Sequence, residues 1–163
     1  MEIKVREYKT EDVQDANTIW NQVVGEGTSF PQMEELNETT GDAFFRSQSF
    51  TGVAVDTQSD RIVGLYILHP NNVGRCGHIC NASYAVDRKY RGQHIGEILV
   101  RHCLSKGKEL GFRILQFNAV VANNVPALNL YKRLGFQQLG VIPEGFLMPD
   151  GTYEDIIPHY HEL

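Results

Sequence analysis

The sequence predicts a single mixed α/β domain. Three observations carry this. Short β-branched and aromatic runs are interleaved with longer stretches whose apolar residues recur at helical spacing. Two strand-to-helix units follow one another directly, residues 78–86 leading into Ile98, Leu99 and Cys103, and residues 113–121 leading into Ala127, Leu130 and Tyr131. No internal repeat, low-complexity tract or linker interrupts the 163 residues, so 1–163 reads as one domain. A chain of that size removes about two-thirds of its unfolded surface from water.

Ile3 and Val5 alternate with polar residues and give a short first strand. Thr10 then offers an N-cap to a helix whose apolar face is Val13, Ala16, Ile19, Trp20 and Val23. Residues 25–31, Gly-Glu-Gly-Thr-Ser-Phe-Pro, break the period and form a candidate substrate-facing loop that includes Thr28, Ser29 and Phe30. A weaker helical patch surrounds Ala43, Phe44 and Phe45. Residues 50–55 and 61–69 read as an antiparallel hairpin joined by the polar turn 56–60. After the strand 78–86, the next helix stops at Gly111; after the strand 113–121, Asn123-Asn124-Val125-Pro126 starts another, which Gly135 ends. The tail supplies closing strands around the turn Pro149-Asp150-Gly151.

Composition narrows the function. The formal charge of -5 lacks the basic surplus that displaces counterions from nucleic acid. With 42% apolar and 21% charged residues the chain is neither disordered nor membrane-embedded, and its longest apolar run, 62–68, is broken by Gly64. Residues 1–7 alternate charge with apolar side chains and lack the h-region of a secretory signal. Cys76, Cys80 and Cys103 are an odd set without disulfide-framework density. The expectation is a cytoplasmic protein that binds neither nucleic acid nor membrane.

The chemistry-bearing pattern lies at the second strand-to-helix junction of the chain. A strand that ends in Arg91-Gly92-Gln93-His94-Ile95-Gly96 and turns into a helix presents unpaired backbone N–H groups, which suit an anion such as a pyrophosphate. Arg88, Lys89 and Arg91 concentrate positive charge at that turn. Alone, Gly92-x-x-x-Gly96 is neither a dinucleotide fingerprint nor a P-loop, and it also reads as an ordinary helix start with solvated cations.

The following strand and helix add Asn124-x-x-Ala127-x-x-Leu130-Tyr131-x-x-x-Gly135-Phe136. Together, Val86-x-x-x-Tyr90-Arg91-Gly92-Gln93-His94-Ile95-Gly96 and this second pattern resemble the acetyl-CoA motif and the succeeding motif of the GNAT superfamily of N-acetyltransferases. The resemblance covers residues 86–136 closely and the rest loosely. It implies the GNAT (acyl-CoA N-acyltransferase) fold, a mixed central sheet with helices on both faces. It further implies acetyl-CoA as cosubstrate, held by Arg91, Gly92, Gln93, His94, Ile95, Gly96 and Asn124, with the pantetheine arm between splayed strands near Tyr84 and Val86. Tyr131 falls at the family's proton-donor position. A homodimer is a further implication of the resemblance. The departure is His94, where the family usually has glycine; a side chain there restricts positive φ, and the cradle survives if that residue is already helical.

Acetyl transfer to an amine needs a neutral nucleophile, a polarised thioester carbonyl and a proton for the thiolate. A phenol stays protonated at neutral pH, which suits Tyr131 as donor; as a core aromatic on an amphipathic helix it needs no such role. Asn81 and Asn118 interrupt the two strands and can orient an amino-acid-like acceptor, or simply satisfy backbone where the strands part. The strand 78–86 has no carboxylate, so the base is open between water relayed by Asn81 or Asn118, Glu26, and His78. A metal on Cys76, His78 and Cys80 is disfavoured, because the outer pair of a straight strand lies about 13 Å apart. His159 and His161 read as solvated tail residues, and Cys103 as a small core residue. The expected function is acetyl transfer to a small-molecule amine; the rivals are a peptide or protein acetyltransferase and a CoA-binding module without turnover.

Overall fold

The computed structural model describes residues 1–163. The apolar stripe of helix α1 (Val13–Glu26) buries Val13, Ala16, Ile19, Trp20 and Val23 as its spacing requires. Thr10 does not cap it. Thr10 lies in a single 3-10 turn, and Asp12 closes the helix entry by accepting the Lys9 N–H (2.8 Å) and two N–H groups of Arg6 (2.8 and 2.9 Å). A bidentate charge-assisted pair is stronger than a hydroxyl cap, and that decides the local choice. The helix ends at Gly27, in the left-handed region at φ 66, where a Cβ would stand 2.9 Å from Pro149 Cγ. Asn37 caps α2 (Glu38–Ser47) by accepting the Thr40 N–H, while Thr40 Oγ1 accepts the Asn37 N–H. Phe44 and Phe45 then pack against Trp20, tilted and edge-on, with centroids 5.2 and 6.0 Å away.

One sheet of eight strands runs through the molecule. Strands β1 (Ile3–Glu7), β2 (Phe50–Asp56), β3 (Arg61–Pro70) and β4 (Ile79–Val86) pair antiparallel in that order. β5 (Ile114–Val121) lies parallel to β4 and antiparallel to β8 (Tyr153–Glu162), and β8 also carries β6 (Gln137–Gln138) and β7 (Ile142–Leu147). Helices α1 and α2 cover one face with a core of Trp20, Phe30, Phe45, Leu65 and Ile67. On the other, Ile95, Leu99 and Cys103 of α3 (Ile95–Glu109) join Tyr66, Leu68, Leu115 and Phe117, with Leu130 and Tyr131 of α4 (Val125–Arg133) packed against them. Because both faces are covered, β2 and β3 read as nearly continuous apolar runs.

The final strand is internal rather than a solvated tail, which corrects the expectation for His159. Seated between β5 and β6, His159 is 1% exposed, with Nδ1 2.7 Å from the Ile157 carbonyl, and burial lowers its pKa. His161 is half-buried, with Nε2 3.0 Å from the Leu134 carbonyl. Cys103 is fully buried, as a core residue should be.

Two irregularities shape the middle of the sheet. The parallel pairing of β4 with β5 consists of Ile79↔Ile114 and Cys80↔Leu115 and then stops. At the next residue Asn81 Oδ1 accepts the Ala82 N–H (2.8 Å), so a side chain takes a backbone donor at the point where the strands part. His94, at the N-cap of α3, is not helical: it holds φ 63, ψ 15, the left-handed conformation a glycine would adopt there. Histidine enters this region more readily than most non-glycine residues, at a cost of about 1–2 kcal/mol.

Two stability predictions follow from these contacts. Asp12→Ala strands Arg6 and removes the helix-entry bond, lowering the unfolding free energy at pH 7 by about 1–3 kcal/mol in urea denaturation. Burial raises the Asp12 pKa, but the bonds from Arg6 and Lys9 outweigh it and the net shift is downward. The contribution is therefore complete above the ordinary carboxylate value of about 4 and lost as pH falls through the lower folded value, so the two proteins should converge in acid. His94→Val, β-branched at positive φ, should be less stable than His94→Gly by at least about 1 kcal/mol; equal stabilities would show that the position carries no strain.

Candidate active site

The turn between β4 and α3 forms an anion cradle from backbone alone. Asp87 accepts the Lys89 N–H at the start of a 3-10 turn, Gly92 adopts φ 78, and His94 repeats the left-handed bend. None of the N–H groups of residues 92–96 donates to a protein acceptor. They gather at the N-terminus of a 15-residue helix, where the helix dipole favours negative charge. A Cβ on Gly96 would meet only Leu130 Cδ2, at 3.9 Å, so Gly96 leaves open the surface over the helix start.

The two arginines at this turn are paired, which changes their expected role, while Lys89 makes no ion pair. Arg91 donates two hydrogen bonds to Glu26 at the end of α1 (2.9 and 2.7 Å), and Arg88 stands 3.8 Å from the same carboxylate. The Arg91 bond, opposed by partial burial, holds the Glu26 pKa below the usual carboxylate value. The pair engages the Glu26 carboxylate and lowers its basicity, which weighs against Glu26 as a general base. The pair ties α1, and the loop that follows it, to the cradle.

Two adjoining clefts open from this corner. The larger, about 770 Å³, is lined by Thr28, Ser29, Tyr84, Val86, Arg91, Gly92, His94, Ile95, Gly96 and Asn124 among the residues the sequence singles out. The smaller, about 330 Å³, lies in the gap between β4 and β5 and is lined by Ser29, Phe30, Asn81, Tyr84, Val86, Gly96, Asn118, Asn124 and Tyr131. Of the sequence-derived cofactor and acceptor residues Gln93 lines neither, and the candidate base His78 and the cations Arg88 and Lys89 also lie outside both. Residues 29, 84, 86, 96 and 124 line both, so the clefts meet where the strands separate, beside the loop after α1.

The gap has two chemically different sides. Tyr131 comes from α4, on the face with α3; its ring packs against Phe117, Phe136 and His159 at 4.6, 5.3 and 5.7 Å. Burial, reinforced by Cys103, raises its pKa, so it stays protonated, and its hydroxyl makes no hydrogen bond to protein. Tyr84 is also held protonated by burial, and its hydroxyl is buried without a hydrogen-bond partner. Asn124 caps α4 by accepting the Ala127 N–H (3.4 Å), leaving its amide donors unengaged. Strand alternation sends Asn81 and Asn118 to the opposite face, toward α1 and α2. There Asn71 Oδ1 accepts from Asn118 Nδ2 (2.7 Å) and Asn81 Nδ2 (3.4 Å), and Gln116 Nε2 donates to Asn118 Oδ1 (3.0 Å).

Asn71 gave no signal in sequence, because it sits in the β3–β4 connection, ten residues from Asn81 and 47 from Asn118. Met148 and Arg133 also line the larger cleft without a local pattern that marks them. His78 is exposed, and Cys76 is exposed while Cys80 is buried with its thiol against the Ile114 carbonyl, so that trio does not converge. No helix is long and apolar enough to cross a membrane.

Comparison with known proteins agrees with this architecture. The acetyltransferase (GNAT) family model matches residues 14–136. The N-acetyltransferase aca1 of Schizosaccharomyces pombe is 32% identical over 102 residues, 61% of this chain and 49% of that protein. Protein SPT10 of Saccharomyces cerevisiae is 28% identical over 53% of this chain and 13% of its own length. The chain thus spans half or less of the length of these curated relatives. A GCN5-related N-acetyltransferase from Kribbella flavida superposes with a TM-score of 0.90 at 28% identity, covering 99% of this chain and 98% of that one. A phosphinothricin acetyltransferase from Sinorhizobium meliloti, solved with acetyl-CoA, shares the fold at 18% identity and a TM-score of 0.90, over 100% and 89% of the two chains. With its matching motifs, fold and cleft, the chain belongs to the acetyltransferase (GNAT) family.

Proposed function

We propose that this protein transfers an acetyl group from acetyl-CoA to the amine of a small molecule, by direct attack in a ternary complex. The observation that carries the reading is the run of unpaired backbone N–H groups at residues 92–96, at the mouth of a cleft that continues into the gap between β4 and β5. Those donors and the α3 dipole fit a diphosphate, and the gap fits an extended chain ending in a thioester. Arg91, bound to Glu26, acts chiefly by fixing the loop, so backbone amides rather than guanidinium groups supply most of the grip.

Acetyl-CoA supplies the acetyl thioester, whose C–S bond breaks as the amine nitrogen bonds the acetyl carbon. Backbone N–H groups of β4 at the gap, near Tyr84 and Val86, polarise the thioester carbonyl. Tyr131 gives its phenolic proton to the departing sulfur and recovers one from the nitrogen that has just been acylated, so protons balance over the cycle. Asn124 donates to the coenzyme arm, and Thr28, Ser29 and Phe30 close over the acceptor together with Asn81 and Asn118. On this reading residues 1–163 are one catalytic domain, working in the cytoplasm, alone or as a homodimer.

Incubation with acetyl-CoA and a panel of small amines tests the proposal. Amine-dependent thiol release supports it; acetyl-CoA binding without release would instead make the protein a CoA-binding module. Tyr131→Phe should lower kcat at least about tenfold, within the range for a general acid, and leave the Kd for acetyl-CoA nearly unchanged. An unaltered kcat would remove its proton-donor role. Gly96→Asp, which sets a carboxylate over the cradle, should weaken acetyl-CoA binding by about tenfold or more in calorimetry. An unaltered Kd would place the diphosphate elsewhere.

A further inference from the structure

In the larger cleft the fixed side-chain charges cancel. Its basic lining residues are Arg91, His94 and Arg133, its acidic ones are Glu26 and Glu97, and the other lining side chains are neutral. Arg91 of the turn binds Glu26 of α1 at 2.7 Å, and Arg133 of α4 binds Glu97 of α3 at 2.6 Å. Both carboxylates are held below the usual carboxylate range, Glu26 by Arg91 and Glu97 by Arg133 and Arg101, so the pairs persist in mild acid. Three charged groups flank the cleft without lining it. Arg88 stands 3.8 Å from Glu26, Asp87 accepts the Lys89 N–H, and the Lys89 ammonium makes no ion pair.

His94 is the uncommitted member of the basic lining set. It is exposed, its ring makes no hydrogen bond to protein, and no other histidine lines either cleft. It also holds φ 63, a backbone conformation that glycine adopts without steric cost. Strain of this kind is retained where the residue serves a site. The unpaired N–H groups of residues 92–96 surround it, so the ring and the amide cradle share one corner.

We infer that the His94 side chain is a ligand for a phosphate group of the coenzyme and binds it as imidazolium, so that acetyl-CoA binding takes up a proton from solvent. The inference rests on the acetyl-CoA reading above and adds one side chain to a cradle otherwise made of backbone. Histidine is the side chain that ordinarily changes charge between pH 5 and 8, and a phosphate beside it favours the charged form. By linkage, affinity for the coenzyme rises as pH falls through that interval. Toward its upper end the cradle grips through neutral amides alone; toward its lower end it gains a charge-assisted hydrogen bond. CoA and acetyl-CoA carry the same phosphates, so both respond alike and the chemical step is untouched.

Calorimetry at about pH 5.5 and about pH 8 tests this on the native protein and on His94→Asn, since asparagine accepts the left-handed conformation and carries no charge. The ratio of the acetyl-CoA Kd at the higher pH to that at the lower should be at least about threefold larger for the native protein. Measured in buffers of different ionisation enthalpy, the native protein should also take up more protons on binding than the variant, and CoA should repeat both differences. The 3′-phosphate gains a proton of its own near about pH 6, equally for the two proteins, and dephospho-CoA lacks that group. A native-to-variant difference that survives with dephospho-CoA assigns His94 to the diphosphate, and one that vanishes assigns it to the 3′-phosphate; either supports the inference. Equal pH dependence and equal proton uptake in the two proteins would overturn it and leave acetyl-CoA binding at the backbone cradle standing. Failure of folded native protein to bind acetyl-CoA or CoA at either pH would overturn both.

Discussion

Strands β4 and β5 hold together through two residue pairs and then separate, and the rest of the site depends on that interruption. A parallel pair in the centre of a sheet would ordinarily continue, since each unmade backbone bond in a buried place is costly. Here the cost is offset locally. Asn81 takes the Ala82 N–H, Asn118 and Asn71 bind one another across the opening, and a register shift between Phe117 and Val120 turns β5 toward β8. The sheet stays covered by helices on both faces, so the opening is a slot through a rigid body. One side of the slot is aromatic and holds two protonated phenols; the other is lined by carboxamides.

The cradle at the start of α3 is a second consequence of the same geometry. Beyond the gap β4 is paired on one side only, with β3, and the chain then turns back through Gly92 and His94, whose left-handed bends leave successive N–H groups without protein acceptors. A histidine in place of glycine keeps this backbone at some energetic cost, which is tolerable because the surrounding turn is fixed on both sides. Arg91 is anchored to α1 through Glu26, and Ile95 is buried in the α3 core. The ion pair between Glu26 and Arg91 thereby connects the loop that borders the acceptor side to the loop that borders the anion side. Its partial exposure to water limits what it adds to global stability.

Much of this was legible in sequence because the deciding signals are local. The helical periods of α1, α3 and α4, the glycines at 111 and 135 and the Asn124 cap each act within a few residues, and the structure places each element within a few residues of its expected position. What escaped depends on pairs far apart in the chain. His159 looks like a tail residue until β8 inserts beside β5, a pairing that joins residues 117 and 159. Glu26 looks like a free loop carboxylate until Arg91, 65 residues later, is brought to it. Asn71 has no pattern of its own and is defined only by the two strands that converge on it. Thr10 lost to Asp12 because Arg6 lies in reach on β1, a competition that cap statistics do not contain.

The central claim is that the backbone donors of residues 92–96 receive the diphosphate of acetyl-CoA. The most direct measurement is an amide-resolved NMR titration of the protein with acetyl-CoA. The account predicts large saturable shifts for the N–H signals of Gly92, His94, Ile95 and Gly96, with smaller ones at Asn124 and Tyr131. Saturable binding that leaves the 92–96 signals unmoved, or no binding by folded protein, would contradict it.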